Sequence, residues 1–146
     1  MYSSILQTYN RTKLSFHSGK GSYLITKEGK KYLDFTSGIA VTSLGHCNNS
    51  LIKVLNKQSK KLWHCSNAYE IPEQEKLAKK LVKLTFADKV FFCNSGAESS
   101  EGVIKIARRY HYVNGEKDRT RIVVAKGAFH GRTLGGLAAG DSNLHR

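Results

Sequence analysis

An α/β architecture with a parallel sheet is what this sequence predicts, and three observations carry it. Val90-Phe91-Phe92-Cys93 is a short apolar run of the kind that forms a buried strand. A helical pattern follows at once, with Val103, Ile104, Ala107 and Tyr110 on one face and Glu101 and Lys105 paired on the wetter side. Beyond a polar turn at Asn114-Gly115-Glu116-Lys117-Asp118, Ile122-Val123-Val124-Ala125 supplies a second strand. Strand, helix, strand in that order predicts a right-handed parallel crossover.

Ahead of that unit, residues 1–16 carry no firm pattern. From Gly21 the chain alternates: Tyr23-Leu24-Ile25, a polar turn at Lys27-Glu28-Gly29-Lys30, then Tyr32-Leu33-Asp34-Phe35. This is a hairpin with Gly29 as its positive-φ residue. Thr36 to His46 is a run of small residues with little helical or strand character. It is either a connector that lets a ligand or partner chain come close, or a tightly packed loop. Asn48 or Asn49 caps a helix with Leu51, Ile52, Leu55, Leu62 and Trp63 on one face. Pro72, the sole proline, precedes Glu73, Gln74 and Glu75 and marks another helix start. Leu77, Leu81 and Leu84 supply the buried face of that helix.

With 40% hydrophobic and 24% charged residues, the chain has an ordinary globular composition and the length to bury one core. Twenty-four Lys and Arg against eleven Asp and Glu give a net charge of +13, a balance that suits nucleic acid. The distribution argues otherwise. Lys53, Lys57, Lys60 and Lys61, then Lys76, Lys79, Lys80 and Lys83, fall between the apolar positions of two predicted helices. They form solvated faces rather than one concentrated stripe, so no nucleic-acid partner is expected. A basic nucleic-acid-binding module stands as the rival from another class, recognisable by a steep fall of affinity with salt. Cys47, Cys65 and Cys93 are odd in number and lack C-x-x-C spacing, which gives no disulfide framework. His46-Cys47 and His64-Cys65 match no common zinc module, and no metal is expected. No apolar run is long enough to span a membrane. The basic N-terminus, with its first acid at Glu28, has a faint transit-peptide character. The folded pattern begins too early to leave room for a removable presequence, so the cytoplasm is the expected location.

Chemistry concentrates where the two predicted strands end, because ligands of open parallel sheets bind beyond the carboxyl ends of the strands. Asn94-Ser95-Gly96-Ala97 leads into a helix N-terminus, whose first N–H groups are unpaired and whose dipole adds partial positive charge. Gly96 has no Cβ and lets backbone come close to a phosphate. Ser95 and Glu98, three apart, are equally a capping box that does nothing but start the helix. On this stretch alone the two readings stand even. The second strand ends at Gly127-Ala128-Phe129-His130-Gly131-Arg132-Thr133. Phe129 offers a face for a planar ring, and Arg132 a guanidinium able to hold a carboxylate through two parallel hydrogen bonds. Taken singly, core packing and a surface charge are the plainer readings of those two residues. A planar phosphorylated cofactor plus a carboxylate substrate would use all three features.

Together these residues resemble the class III pyridoxal-phosphate-dependent aminotransferases, and within that class the acetylornithine aminotransferases. The resemblance runs from about Thr8 to Arg146. It rests on Gly21-Ser22-Tyr23-Leu24, Tyr32-Leu33-Asp34-Phe35, Ser37-Gly38-Ile39-Ala40-Val41, Leu44-Gly45-His46-Cys47, Asn94-Ser95-Gly96-Ala97-Glu98 and Ala128-Phe129-His130-Gly131-Arg132-Thr133. It departs at Asn48-Asn49, where the class reads His-Pro, and at Ser99-Ser100, where it reads Ala-Asn before the retained Glu101.

The resemblance implies the N-terminal part of a fold-type I transferase. Residues 1–50 would be a segment of the small domain with the hairpin, and residues 51–146 the start of the cofactor-binding large domain with its mainly parallel sheet. It implies pyridoxal 5'-phosphate held at Ser95, Gly96 and Ala97, with Phe129 stacked on the pyridine ring. It implies that Arg132 binds a substrate carboxylate and that Tyr69 lines the substrate pocket. Ornithine enzymes of the class carry a tyrosine near Gly38, so glycine there implies room for a bulkier, acylated amine. The implied reaction is a ping-pong amino transfer between N-acetylornithine and 2-oxoglutarate or glutamate in arginine biosynthesis. Ornithine, succinylornithine and 4-aminobutyrate aminotransferases are the alternatives. A homodimer is implied for the full-length enzyme. The class's Schiff-base lysine lies further on in such enzymes, and no lysine here has its context. The chain is therefore expected to contribute no catalytic residue and not to transaminate by itself.

Overall fold

The computed structural model describes residues 4–141. The chain divides into two compact units, the first ending at Glu70 and the second beginning at Ile71.

The first unit is built on a three-stranded antiparallel sheet, β1 (Ser18–Lys20), β2 (Tyr23–Ile25) and β3 (Lys31–Leu33), in the order β1-β2-β3. Tyr23 faces Leu33 and Ile25 faces Lys31, which is the expected hairpin, and Gly29 turns it with φ of +83°. β1 is an addition, since Ser18-Gly19-Lys20 has no apolar alternation to announce a strand. It pairs Ser18 with Ile25 and Lys20 with Tyr23. A Cβ on Gly19 would stand 2.7 Å from His46 Cγ, so glycine is what lets the imidazole lie on the strand.

His46 also bridges to the sheet through its backbone, with Gly21 N–H donating to His46 O (3.0 Å) and His46 N–H to Gly21 O (2.8 Å). Its Nε2 lies 2.8 Å from Asp34 Oδ2. The other Asp34 oxygen accepts from Thr36 N–H (3.1 Å), the Thr36 hydroxyl (2.8 Å) and Ser37 N–H (3.0 Å). Asp34 and His46 thus close the connector at its two ends. Between them the backbone makes a left-handed turn, α1 (Ser37–Ala40), in which Ser37, Gly38, Ile39 and Ala40 have φ of 47°, 60°, 61° and 65°. Three of these residues have a Cβ, and left-handed helical backbone costs roughly 1–2 kcal/mol for each such residue. The small-residue run, expected as a connector or a tightly packed loop, takes the form of a held left-handed turn.

Helix α2 (Asn49–Gln58) follows, capped by Asn48, whose side chain accepts from Ser50 N–H (3.0 Å) and Leu51 N–H (3.3 Å). It stops short of Leu62 and Trp63, which therefore leave its apolar face, and Trp63 Nε1 donates back to Ser59 O (2.6 Å). Leu51, Ile52 and Leu55 line an open groove with Val41 and Leu44.

The second unit holds α3 (Pro72–Leu84), α4 (Gly96–Val113) and α5 (Leu134–Ala138). Pro72 stands in the first turn of α3 with Glu73 and Glu75, as their fit to a helix N-terminus requires. Of the expected faces, Leu81 is half-buried while Leu77 and Leu84 are exposed. On α4, Ile104 and Ala107 are half-buried while Val103 and Tyr110 are exposed. The half-buried stripe runs instead through Ala97, Glu101, Ile104, Ala107 and His111. Glu101 and Lys105 form no ion pair among the described residues; Glu75 and Lys79 on α3 do, at 3.3 Å.

The expected parallel pair does not form among the described residues. Residues 90–93 and 122–125 carry no ladder, and the sheet of the first unit is the only one described. A strand exists by its pairing, and these two segments do not pair with each other. Val123 consequently lies 96% exposed and Phe91 71%. Nor is the single buried core realised, for no apolar side chain is fully buried among the described residues.

The Asp34 carboxyl is pulled down to about 2, first by the hydrogen bond from His46 and then by those from Thr36 and Ser37. A depressed acid stabilises the fold above its unfolded value near 3.8 and loses that contribution as pH falls towards 2. In the complete protein, Asp34→Asn is expected to lower the thermal midpoint at pH 7. The difference from the parent should shrink below about pH 4 and fade as the pH drops through 2, as measured by thermal denaturation across that range. A deficit that persists undiminished at pH 2 would show that Asp34 acts through something other than its charge.

Candidate functional site

The second unit brings the two predicted ligand-binding stretches together. The Ser95 side chain accepts from Glu98 N–H (3.2 Å), and the Glu98 carboxylate reaches back to accept from Asn94 N–H (2.5 Å). The capping box is therefore real, displaced by one residue from its usual return partner. It leaves the Gly96 and Ala97 N–H groups without an acceptor among the described residues. A Cβ on Gly96 would meet nothing within 4 Å, so the space in front of these two donors is open. The Ser95 hydroxyl spends a lone pair on the cap and keeps its hydrogen to donate. Cap and anion seat are thus compatible uses of the same residues.

The loop from Gly127 to Thr133 lies against this helix end. Gly131 has φ of +100°, and a Cβ there would stand 2.7 Å from Ala97 Cβ and 3.0 Å from Ala97 Cα. Only glycine permits both the backbone conformation and the approach. Arg132, the next residue, is therefore carried to the N-terminal end of α4. Its guanidinium carbon lies 5.5 Å from the centre of the Phe129 ring, a cation–π geometry. The aromatic face and the guanidinium expected to receive two different groups thus contact each other here. Tyr69, the remaining predicted residue, belongs to the first unit, where its N–H donates to Ser66 O (3.0 Å) and its side chain is exposed.

Glu101 is the functional candidate that sequence reasoning misread. Rather than pairing with Lys105, its Oε1 accepts from Gly135 N–H (3.1 Å), 34 residues along the chain. Thr133 caps the same short helix, accepting from Gly136 N–H (3.2 Å). The cap was available to a reader of the sequence as Thr-Leu-Gly-Gly; the long-range acceptor was not.

A family model, "Aminotransferase class-III", matches residues 6–146. This chain belongs to the class-III aminotransferases. The acetylornithine aminotransferase of Brucella melitensis is 58% identical over 136 residues, which are 93% of this chain and 34% of that protein. The solved adenosylmethionine-8-amino-7-oxononanoate aminotransferase of Methanocaldococcus jannaschii superposes with a TM-score of 0.90 at 34% identity. That match covers 97% of this chain and 34% of the other. The N-acetylornithine aminotransferase of Stenotrophomonas maltophilia superposes with a TM-score of 0.76 at 35% identity, covering 86% of this chain and 35% of its own. The chain spans about a third of the length of these relatives.

The fold class is that of pyridoxal-phosphate-dependent transferases, and the α/β expectation stands although the parallel ladder does not close here. The cofactor of class-III aminotransferases is pyridoxal phosphate. The residues present fit its phosphate, because two adjacent backbone donors face open space at a helix N-terminus.

Two glycines separate packing from binding. Gly131→Ala is expected to destabilise the complete protein by on the order of 1–3 kcal/mol, through positive φ and collision with Ala97. Gly96→Ala, with open space and ordinary φ, should change stability by less than about 0.5 kcal/mol. Chemical denaturation of the cofactor-free protein checks both, and equal losses would contradict the geometry.

Proposed function

We propose that the complete enzyme carrying this chain transfers an amino group between N-acetylornithine and 2-oxoglutarate or glutamate, the arginine-biosynthetic step. It would work as a homodimer in the cytoplasm. The observation that supports the reading best is the convergence of the open Gly96–Ala97 donors with the Arg132 loop, fixed by the Gly131–Ala97 contact. The identity to acetylornithine aminotransferases supports the choice of amine. Among the described residues no helix is long and apolar enough to cross a membrane. In this reading residues 1–50 belong to the small domain and residues 51–146 open the large one.

Pyridoxal phosphate, when bound, supplies the electron sink that amino transfer requires. This chain's residues bind and orient. The Gly96 and Ala97 N–H groups donate to the phosphate, and the Ser95 hydroxyl adds a third hydrogen bond while its oxygen still caps the helix. Helix dipole and oriented donors make a dianion welcome there without a cationic side chain. Phe129 lies against the planar ring. Arg132 exchanges its cation–π contact with Phe129 for a paired hydrogen bond to a substrate carboxylate, a stronger, charge-assisted interaction. For the complete enzyme we assign Tyr69 to contact with the amine, and read glycine at position 38 as the choice that spares space for an acyl group.

Arg132→Lys keeps the charge but loses the fork. It should lower kcat/KM for 2-oxoglutarate about 100-fold, roughly 3 kcal/mol of transition-state binding. Cofactor affinity, read from bound-cofactor absorbance, should stay within about twofold of the parent. Comparable losses in both would remove Arg132 from the carboxylate site. Gly96→Ala should instead weaken cofactor binding about tenfold, as one distorted charge-assisted hydrogen bond would. A kcat/KM for ornithine equal to or above that for N-acetylornithine would overturn the assigned amine.

A further inference from the structure

We propose that Glu101 is a positioning residue for substrate recognition, holding the Gly135 N–H so that Arg132 is fixed beside the N-terminus of α4. The inference rests on the site reading above and goes beyond it by assigning a role to a residue with no contact to either ligand.

Four observations carry it. Ala97 and Glu101 are i, i+4 neighbours on the half-buried stripe of α4. Gly131 and Gly135 are four apart on the facing segment, and each meets one member of the pair: Gly131 against Ala97, Gly135 against Glu101. The first contact is steric, with no room for a Cβ. The second is polar, Glu101 Oε1 accepting from Gly135 N–H at 3.1 Å, and a Cβ on Gly135 would stand 2.6 Å from the other carboxylate oxygen.

Arg132 lies between these two points of attachment. A side chain holding a carboxylate by a bidentate pair needs its backbone held to within a fraction of an ångström, and a loop fixed at one end alone would swing. Glu101 supplies the second fixed point. It does so from the helix that also presents the phosphate donors, so the two halves of the site share one rigid frame. The simpler role, a solvated partner for Lys105, is not the one its carboxylate plays, since among the described residues they make no ion pair.

The test uses the complete enzyme loaded with pyridoxal phosphate. Glu101→Leu removes the acceptor, while Glu101→Gln keeps an oxygen at that place. Glu101→Leu should raise KM for 2-oxoglutarate about tenfold, with kcat within about threefold and cofactor affinity within about twofold of the parent. Glu101→Gln should restore KM to within about twofold. Gly135→Ala, which pushes the carboxylate away, should show the same KM signature. Combined with Glu101→Leu it should add little, because both break one contact.

A folded, cofactor-loaded Glu101→Leu enzyme with unchanged KM overturns the proposal. So does a Glu101→Gln enzyme as impaired as Glu101→Leu, which would mean that charge and not acceptance matters. Should Glu101→Leu fail to fold, Gly135→Ala decides alone by the same KM criterion. Arg132→Lys run alongside separates the two readings. If it leaves KM for 2-oxoglutarate unmoved, the carboxylate assignment itself has failed; if it raises KM while Glu101→Leu does not, only the positioning role has.

Discussion

The near-contact of Gly131 with Ala97 is the constraint on which the site depends. A helix N-terminus offers donors wherever one occurs, and most such ends bind nothing. What distinguishes this one is that a second segment is pressed on its first turn, at a separation that excludes even a methyl group. Through that contact two open backbone donors acquire an aromatic ring and a guanidinium within one loop. The cost is a positive φ, which glycine bears without strain.

What was legible in the sequence was local. Asn48, Pro72 and Ser95 mark helix starts in the structure because caps and first turns depend on residues within four positions. Gly29 turns its hairpin for the same reason. The candidate site was legible in its parts, since a Ser-Gly-Ala helix entry and a Phe-His-Gly-Arg loop each have recognisable chemistry. Their juxtaposition was not, because it rests on the absence of a side chain 34 residues away. Asp34 with His46 and Glu101 with Gly135 were invisible for that reason too. The left-handed turn was illegible on stronger grounds: Ile39 and Ala40 have no intrinsic preference for φ near +60°, and they adopt it only because the ends of the segment are held.

The two apolar runs at 90–93 and 122–125 teach the converse. Their sequences announce buried strands, yet a strand is a property of a pair, and burial a property of whatever lies across the face. With Val123 and Phe91 uncovered, the pattern records an environment that the described residues alone do not furnish. Apolar periodicity is evidence about a surface suited to burial, whereas caps and turns need only their own few residues.

The connector between Asp34 and His46 has one more property. Its course is dictated by a carboxylate at one end and an imidazole lying on a glycine at the other, while Ile39 and Val41 at its crest touch little. Frame and display are therefore separate: the residues that fix the backbone are not the residues that face outward. Such a loop has the organisation of a grafting scaffold, in which the displayed side chains vary without rebuilding the turn beneath them.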